Sequence, residues 1–198
     1  SSEALREKIT AGFAEETDAL GNRWTGIRTD LHIEKFDEYR GMVMSQYYLT
    51  IPGVPVMCYF ARIYNGTGIY QDIGTSATMF VAGKEGLSDL YVSLTSDERV
   101  GYRRRFGGDI YTGFDRLAVL SREGAAQRPE KLYVFRDAAR DKGKNALAGD
   151  INAARFDMEG KVAVKPGDSF AMRPVFCLLM EKALTLEALA DLERVYFS

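Results

Sequence analysis

The sequence predicts an α+β domain: a largely antiparallel, curved sheet between an N-terminal helix and one or more C-terminal helices. Three observations carry this expectation. Apolar residues near the start recur at helical spacing. The middle of the chain is cut by closely spaced turn signals into short alternating runs, and helical spacing returns after Pro174. With 198 residues, 46% of them hydrophobic, the chain can bury one substantial core, and a single domain over 1–198 is expected.

Leu5, Ile9, Phe13 and Leu20 lie at near-helical spacing among acidic and basic residues, and Gly21 follows as a stop, so residues 3–20 read as an amphipathic helix. From Gly26 the period becomes two: Ile27, Thr29, Leu31 and Ile33 alternate with Arg28, Asp30, His32 and Glu34, as in a half-buried strand. Met42 to Ile51 and Val54 to Tyr64 form the strongest hairpin, because Pro52 presets the first central turn position and Gly53 accepts positive φ at the second. Asn65-Gly66 turns the chain towards Ile69 to Ile73, and Ser76 to Ala82 and Asp89 to Leu94 continue a meander with no room for crossover helices. Arg116 to Leu120 and Lys131 to Phe135 read as paired strands, although Phe114, Leu117 and Leu120 would also suit a short helix, and residues 136–150, dense in charge and glycine, read as a surface loop or loose helix. Ala153 to Phe156 and Lys161 to Val164 read as a hairpin around Met158-Glu159-Gly160. Pro174 then opens a helix carrying Phe176, Leu179, Met180 and Ala183, with Thr185 capping a second segment.

Composition excludes several function classes. A net charge of −2 with both signs interleaved gives no basic stripe for nucleic acid, and nucleic acid is not an expected partner. No apolar run approaches the ~20 residues of a spanning helix, so no membrane span is expected in this chain. Because the first residue is Ser1, a removed signal or anchor is conceivable, which leaves compartment open, with the cytoplasm weakly favoured, and keeps alive a soluble domain of a membrane-associated protein. Cys58 and Cys177, each among apolar neighbours, read as free buried thiols, and with one histidine the chain lacks the nitrogen and sulfur ligands of a structural zinc site. No cofactor and no metal are expected.

Motifs that name a chemistry are absent. Ala82-Gly83-Lys84-Glu85-Gly86 lacks the upstream glycine and the following hydroxyl of a P-loop, and Gly66-Thr67-Gly68 lacks the third glycine of a dinucleotide fingerprint. Asn65-Gly66-Thr67 matches the glycosylation sequon but also has its own turn logic. Any Ser-His-Asp arrangement would need His32, which falls on the polar side of its strand.

Two leads remain. Arg99, Arg103, Arg104 and Arg105 cluster around Tyr102 and Phe106, and guanidinium forks suit an acidic small molecule or an acidic protein partner; ion pairing within the fold is the plainer reading. Asp109 and Asp115 beside them are the carboxylates available for acid and base work or an oxygen-only cation site. The second lead is the aromatic and methionine richness between Met42 and Tyr70, which could line both faces of a sheet; an exposed aromatic face would make a partner or apolar-ligand surface, and ordinary core packing is the plainer reading. The expected function is a noncatalytic binding or protein-interaction module. An enzyme acting on a small acidic or phosphorylated substrate is the alternative, and it requires the arginines to converge with Asp109 or Asp115.

Overall fold

The computed structural model describes residues 8–82, 90–93, 101–104, 110–114, 117–122, 131–138, 142–149 and 153–180. These are built almost wholly from antiparallel strands, and the only helical elements are single turns such as the 3-10 turn Asp37–Tyr39. The α+β expectation is therefore overturned: the fold is all-β.

The strands are β1 (Lys8–Thr17), β2 (Arg23–His32), β3 (Met42–Thr50), β4 (Val56–Asn65), β5 (Gln71–Ala82), β6 (Leu90–Ser93), β7 (Gly101–Arg104) and β8 (Ile110–Phe114). They continue with β9 (Leu117–Arg122), β10 (Lys131–Phe135), β11 (Lys144–Gly149), β12 (Ala153–Val164), β13 (Ser169–Ala171) and β14 (Val175–Met180). The expected N-terminal helix is β1, fully paired with β2 from Lys8↔His32 to Thr17↔Arg23. The expected helix after Pro174 is β14, paired with β10, and its second segment around Thr185 lies outside the described residues. The loop over 136–150 contains β11, and the hairpin expected around Met158-Glu159-Gly160 is one continuous strand, β12, whose Ala154 to Glu159 pair with β11.

The chain forms two compact units, Ser1–Thr75 with Lys161–Pro174, and Ser76–Gly160 with Val175–Ser198. In the first unit the ladder runs β1-β2-β3-β4, and β13 also pairs with β4. In the second, β14-β10-β9-β6-β7 form one ladder, and β11 joins β12 to β8 in the other sheet. Leu117, Val134, Phe135, Met158 and Val175 are the largest fully buried apolar side chains among its described residues.

The turns of the first unit follow from sequence chemistry. Gly53 stands at φ 79° and Val54 N–H donates to the Ile51 carbonyl over 3.0 Å, the turn that Pro52-Gly53 predicts. Asn65 is fully buried: its amide donates to the Ile69 and Val164 carbonyls at 2.9 and 2.8 Å, while its oxygen accepts from the Thr67 N–H and hydroxyl. The sequon asparagine is thus a structural pin rather than an exposed acceptor.

Asp18 organises the β1–β2 turn. Its carboxylate accepts from the Leu20 and Asn22 N–H groups, the Asn22 amide and the Trp24 indole, all at 2.9 to 3.0 Å. Partial burial pushes its pKa up, but these hydrogen bonds, led by that from Trp24, outweigh burial and hold the carboxyl below its ordinary value. A depressed folded pKa adds stability that is present above the unfolded value and lost as pH falls through the folded one. Asp18→Ala is expected to cost about 1–2 kcal/mol at neutral pH and to flatten the acid limb of stability below roughly pH 4. Urea denaturation across pH checks both.

Candidate functional site

Residues directly opposite one another in an antiparallel ladder share a face, so the registers of β1 to β4 sort the first unit's sheet into two surfaces. One carries Gly12, Arg28, Tyr47 and Phe60 in one row and Thr10, Asp30, Ser45 and Arg62 in the next. The other carries Phe13, Ile27, Tyr48 and Tyr59, then Ala11, Thr29, Gln46 and Ala61, then Ile9, Leu31, Met44 and Ile63.

The first surface holds an interlocked polar cluster. Tyr47 and Phe60 stack with ring centroids 4.5 Å apart, and the Arg62 guanidinium lies 4.9 and 5.2 Å from the two centroids. Arg62 grips the Glu16 carboxylate with both terminal nitrogens, at 2.9 and 3.2 Å, and donates to the Tyr47 hydroxyl at 3.2 Å. Burial alone would lower its pKa, but the hydrogen bonds and charge of Glu16 raise it. Arg28 lies over Tyr47 at 5.5 Å and donates to Asp30, which also accepts from the Ser45 hydroxyl. Burial pushes Asp30 up, yet these two hydrogen bonds and the Arg28 charge bring its carboxyl below the ordinary value. Every charge here has a partner, so the cluster fastens β1 across the sheet.

The second surface is mixed where solvent reaches it, with an exposed Glu15–Arg23 ion pair at one end beside a group of exposed apolar side chains. Phe13, Ile27 and Tyr48, neighbours in one row, are 74%, 56% and 43% exposed, and Ile9 flanks them at 69%. Tyr48 meets Tyr59 at 5.1 Å in a tilted pair. Tyr59 accepts from the Gln46 amide at 3.2 Å, and burial raises its pKa. Gln46 in turn accepts from Thr29 at 3.4 Å, leaving fixed amide and hydroxyl groups among aromatic rings. This face is the candidate functional site.

The residues singled out from sequence fall elsewhere. Arg99, Arg105, Asp109 and Asp115 lie outside the described residues, while Arg103 and Arg104 occupy consecutive positions of β7, opposite Tyr91 and Leu90 of β6. His32 lies in β2 opposite Val43 and Lys8. Cys58 and Cys177 are buried and form no disulfide, and burial pushes the Cys177 thiol up to about 12. Among the described residues no helix is long and apolar enough to cross a membrane, and no group of three His, Cys, Asp or Glu side chains is placed to hold a metal ion. Sequence reasoning reached Tyr48 and Tyr59 through the aromatic-rich stretch. It missed Ile9 and Phe13, which the helical reading turned inward; the alternation Ile9, Ala11, Phe13 against Lys8, Thr10, Gly12 was the available signal.

The strand order and antiparallel registers define an all-β fold class with known counterparts. No family model and no curated protein matches the chain by sequence. Among solved structures it is similar to the GH36 α-galactosidase AgaB of Geobacillus stearothermophilus, at 14% identity and TM-score 0.59, over 90% of this chain and 28% of that one. It is similar to the Lactobacillus brevis α-galactosidase at 12% identity and TM-score 0.57, over 89% of this chain and 27% of that one. The Slr1438 protein of Synechocystis matches at 10% identity and TM-score 0.54, over 86% of this chain and 66% of that one. At such identities the likeness is one of fold. The chain spans less than a third of the length of these α-galactosidases.

Proposed function

We propose that the chain is a noncatalytic carbohydrate-binding module that works through the exposed face of β1 to β4. The observation that carries this reading is the row Phe13, Ile27 and Tyr48, large apolar side chains exposed on a sheet face, which ends on the half-buried Tyr59. Tyrosines with anchored amide and hydroxyl neighbours suit a sugar, whose C–H face lies on a ring while its hydroxyls meet Gln46 and Thr29. Fold similarity to part of two α-galactosidases supports the choice of ligand class. An exposed sheet face also suits an extended oligosaccharide better than a small reactive substrate, which needs a concave, water-excluding site.

The test is a glycan array followed by isothermal titration. Binding of at least one oligosaccharide is expected, with Tyr48→Ala weakening it about tenfold, or ~1.4 kcal/mol. Tyr48 is exposed, so its removal should leave the melting temperature nearly unchanged. Absence of binding across the array, or full affinity in Tyr48→Ala, would sink the proposal.

A further inference from the structure

The exposed row Phe13, Ile27 and Tyr48 has polar neighbours on both sides. Thr29 and Gln46 stand opposite one another in the next row of the same face, and Thr25 and Thr50 do so in the row before it. Thr50 is exposed and the other three are half-buried. Their hydrogen bonds leave capacity for a ligand. The Thr29 hydroxyl donates to the Gln46 side-chain oxygen at 3.4 Å, the Gln46 amide to the Tyr59 hydroxyl at 3.2 Å, and the Thr50 hydroxyl to the Val56 carbonyl at 2.7 Å. Among the described residues nothing takes the second Gln46 amide hydrogen or the Tyr59 hydroxyl hydrogen, and the Thr29 and Thr50 oxygens keep lone pairs for accepting. Donors and acceptors thus border an apolar strip.

Charge narrows the ligand further. In this row and the rows on either side of it, Glu15 is the one charged residue among the described residues, and Arg23 holds it at 2.5 Å. A uronate or sulfated sugar would have to break that pair to reach Arg23, and an amino sugar would have to break it to reach Glu15. A neutral sugar asks for neither. Its ring can lie with the C–H face on Ile27 or Tyr48 and send hydroxyls, each both donor and acceptor, towards the polar side chains on either side.

We infer that the ligand of this face is a neutral oligosaccharide lying across the strands, along Phe13, Ile27 and Tyr48 towards Tyr59. The row crosses three strand-to-strand gaps, ~14 Å in all, which is the length of about three sugar rings. A ligand laid along β1 instead, from Phe13 to Ile9, would pass over Ala11, with Thr29 on one side and, among the described residues, no strand on the other. The inference rests on the binding role proposed above and adds to it the charge, direction and length of what is bound.

Titration calorimetry of the whole chain tests this with linear oligomers of glucose, mannose and galactose, of about one to six sugars, beside oligogalacturonates and sulfated galactose oligomers. At least one neutral series is expected to bind, with affinity rising to about three sugars and gaining less than about twofold beyond four, and the charged series about tenfold weaker or more. Ile27→Ala should weaken binding about five- to tenfold, and Ile9→Ala, two rows along β1, less than about twofold. Both side chains are exposed, so the melting temperatures of the two variants should stay near that of the wild type. Tighter binding of a charged series, affinity still climbing at six sugars, or equal losses in the two variants would each overturn the inference; if Tyr48→Ala abolishes that same binding, the binding role itself stands. Binding of none of these oligomers would overturn it too, and the wider glycan array then decides the binding role separately.

Discussion

Replacing Gly26 by alanine is expected to detach the β1–β2 hairpin from its sheet. Gly26 lies opposite Leu49 in the β2–β3 ladder, and a Cβ there would stand 2.0 Å from the Tyr48 carbonyl oxygen and 3.0 Å from the Leu49 Cα. Both obstacles are backbone, so no side-chain rotation relieves them. β2 must move away from β3, which adds overpacking strain to the loss of one or two ladder hydrogen bonds, for a total of about 3–5 kcal/mol. Because β1 is anchored mainly through β2, the damage should be local. Hydrogen exchange is the measurement: residues 8–32 should lose protection while β10 and β14 keep theirs. A Gly26→Ala protein with wild-type stability would mean that the two strands are not held this closely.

Arg136→Met is expected to destabilise the second unit by a similar amount, for the opposite physical reason. Arg136 is fully buried just after β10, and its Nη1 donates at 3.1 Å both to the Asn145 side-chain oxygen in β11 and to the Glu159 carbonyl in β12. Asn145 returns a bond from its amide to the Arg136 carbonyl at 3.0 Å. Methionine fills much of the volume but donates nothing, leaving two buried oxygens short of a partner at about 1–3 kcal/mol each. Loss of about 3–5 kcal/mol follows, read as a lower midpoint in chemical denaturation. Arg136→Lys keeps the charge but cannot reproduce the planar fork, and should recover little. The exposed Lys144–Glu159 pair nearby, 3.6 Å apart, contributes little by comparison.

The hairpin of β3 and β4 was legible because turn chemistry is local: Pro52-Gly53 fixes the reversal without help from the rest of the chain. The two ends were not. Ile9 and Phe13 are four residues apart, which places them on one side of a helix and equally on one side of a strand, and only pairing with β2 decides between the two. Phe176 and Met180 repeat the ambiguity. The buried run Val175, Phe176, Cys177 and Leu178 in β14 is covered on both faces, so it lacks the alternation that marks a half-exposed strand. In β12, Gly160 looked like a turn glycine, yet its backbone has no positive φ and the strand runs through it.

The candidate site was half legible for the same reason. Aromatic density between Met42 and Tyr70 pointed to the right strands, and the two-residue period assigned faces within each. Which face meets water depends on what covers the sheet, and that information is long-range. Arg136 shows the converse: within a charge-dense stretch, nothing local marks its guanidinium as one that folding buries.

The pinning of Asn65 bears on how the protein ages. Spontaneous deamidation at an asparagine followed by glycine requires the side-chain carbonyl carbon to swing onto the next backbone nitrogen, with Gly66 offering no steric resistance. Here both ends of the amide are committed to Ile69, Val164 and Thr67, and Gly66 is crowded against the Gly41 backbone, where a Cβ would stand 2.2 Å from the Gly41 oxygen. The dipeptide that would act as a chemical clock in a loose chain is stopped by the fold. Its deamidation rate becomes a gauge of how often this corner opens.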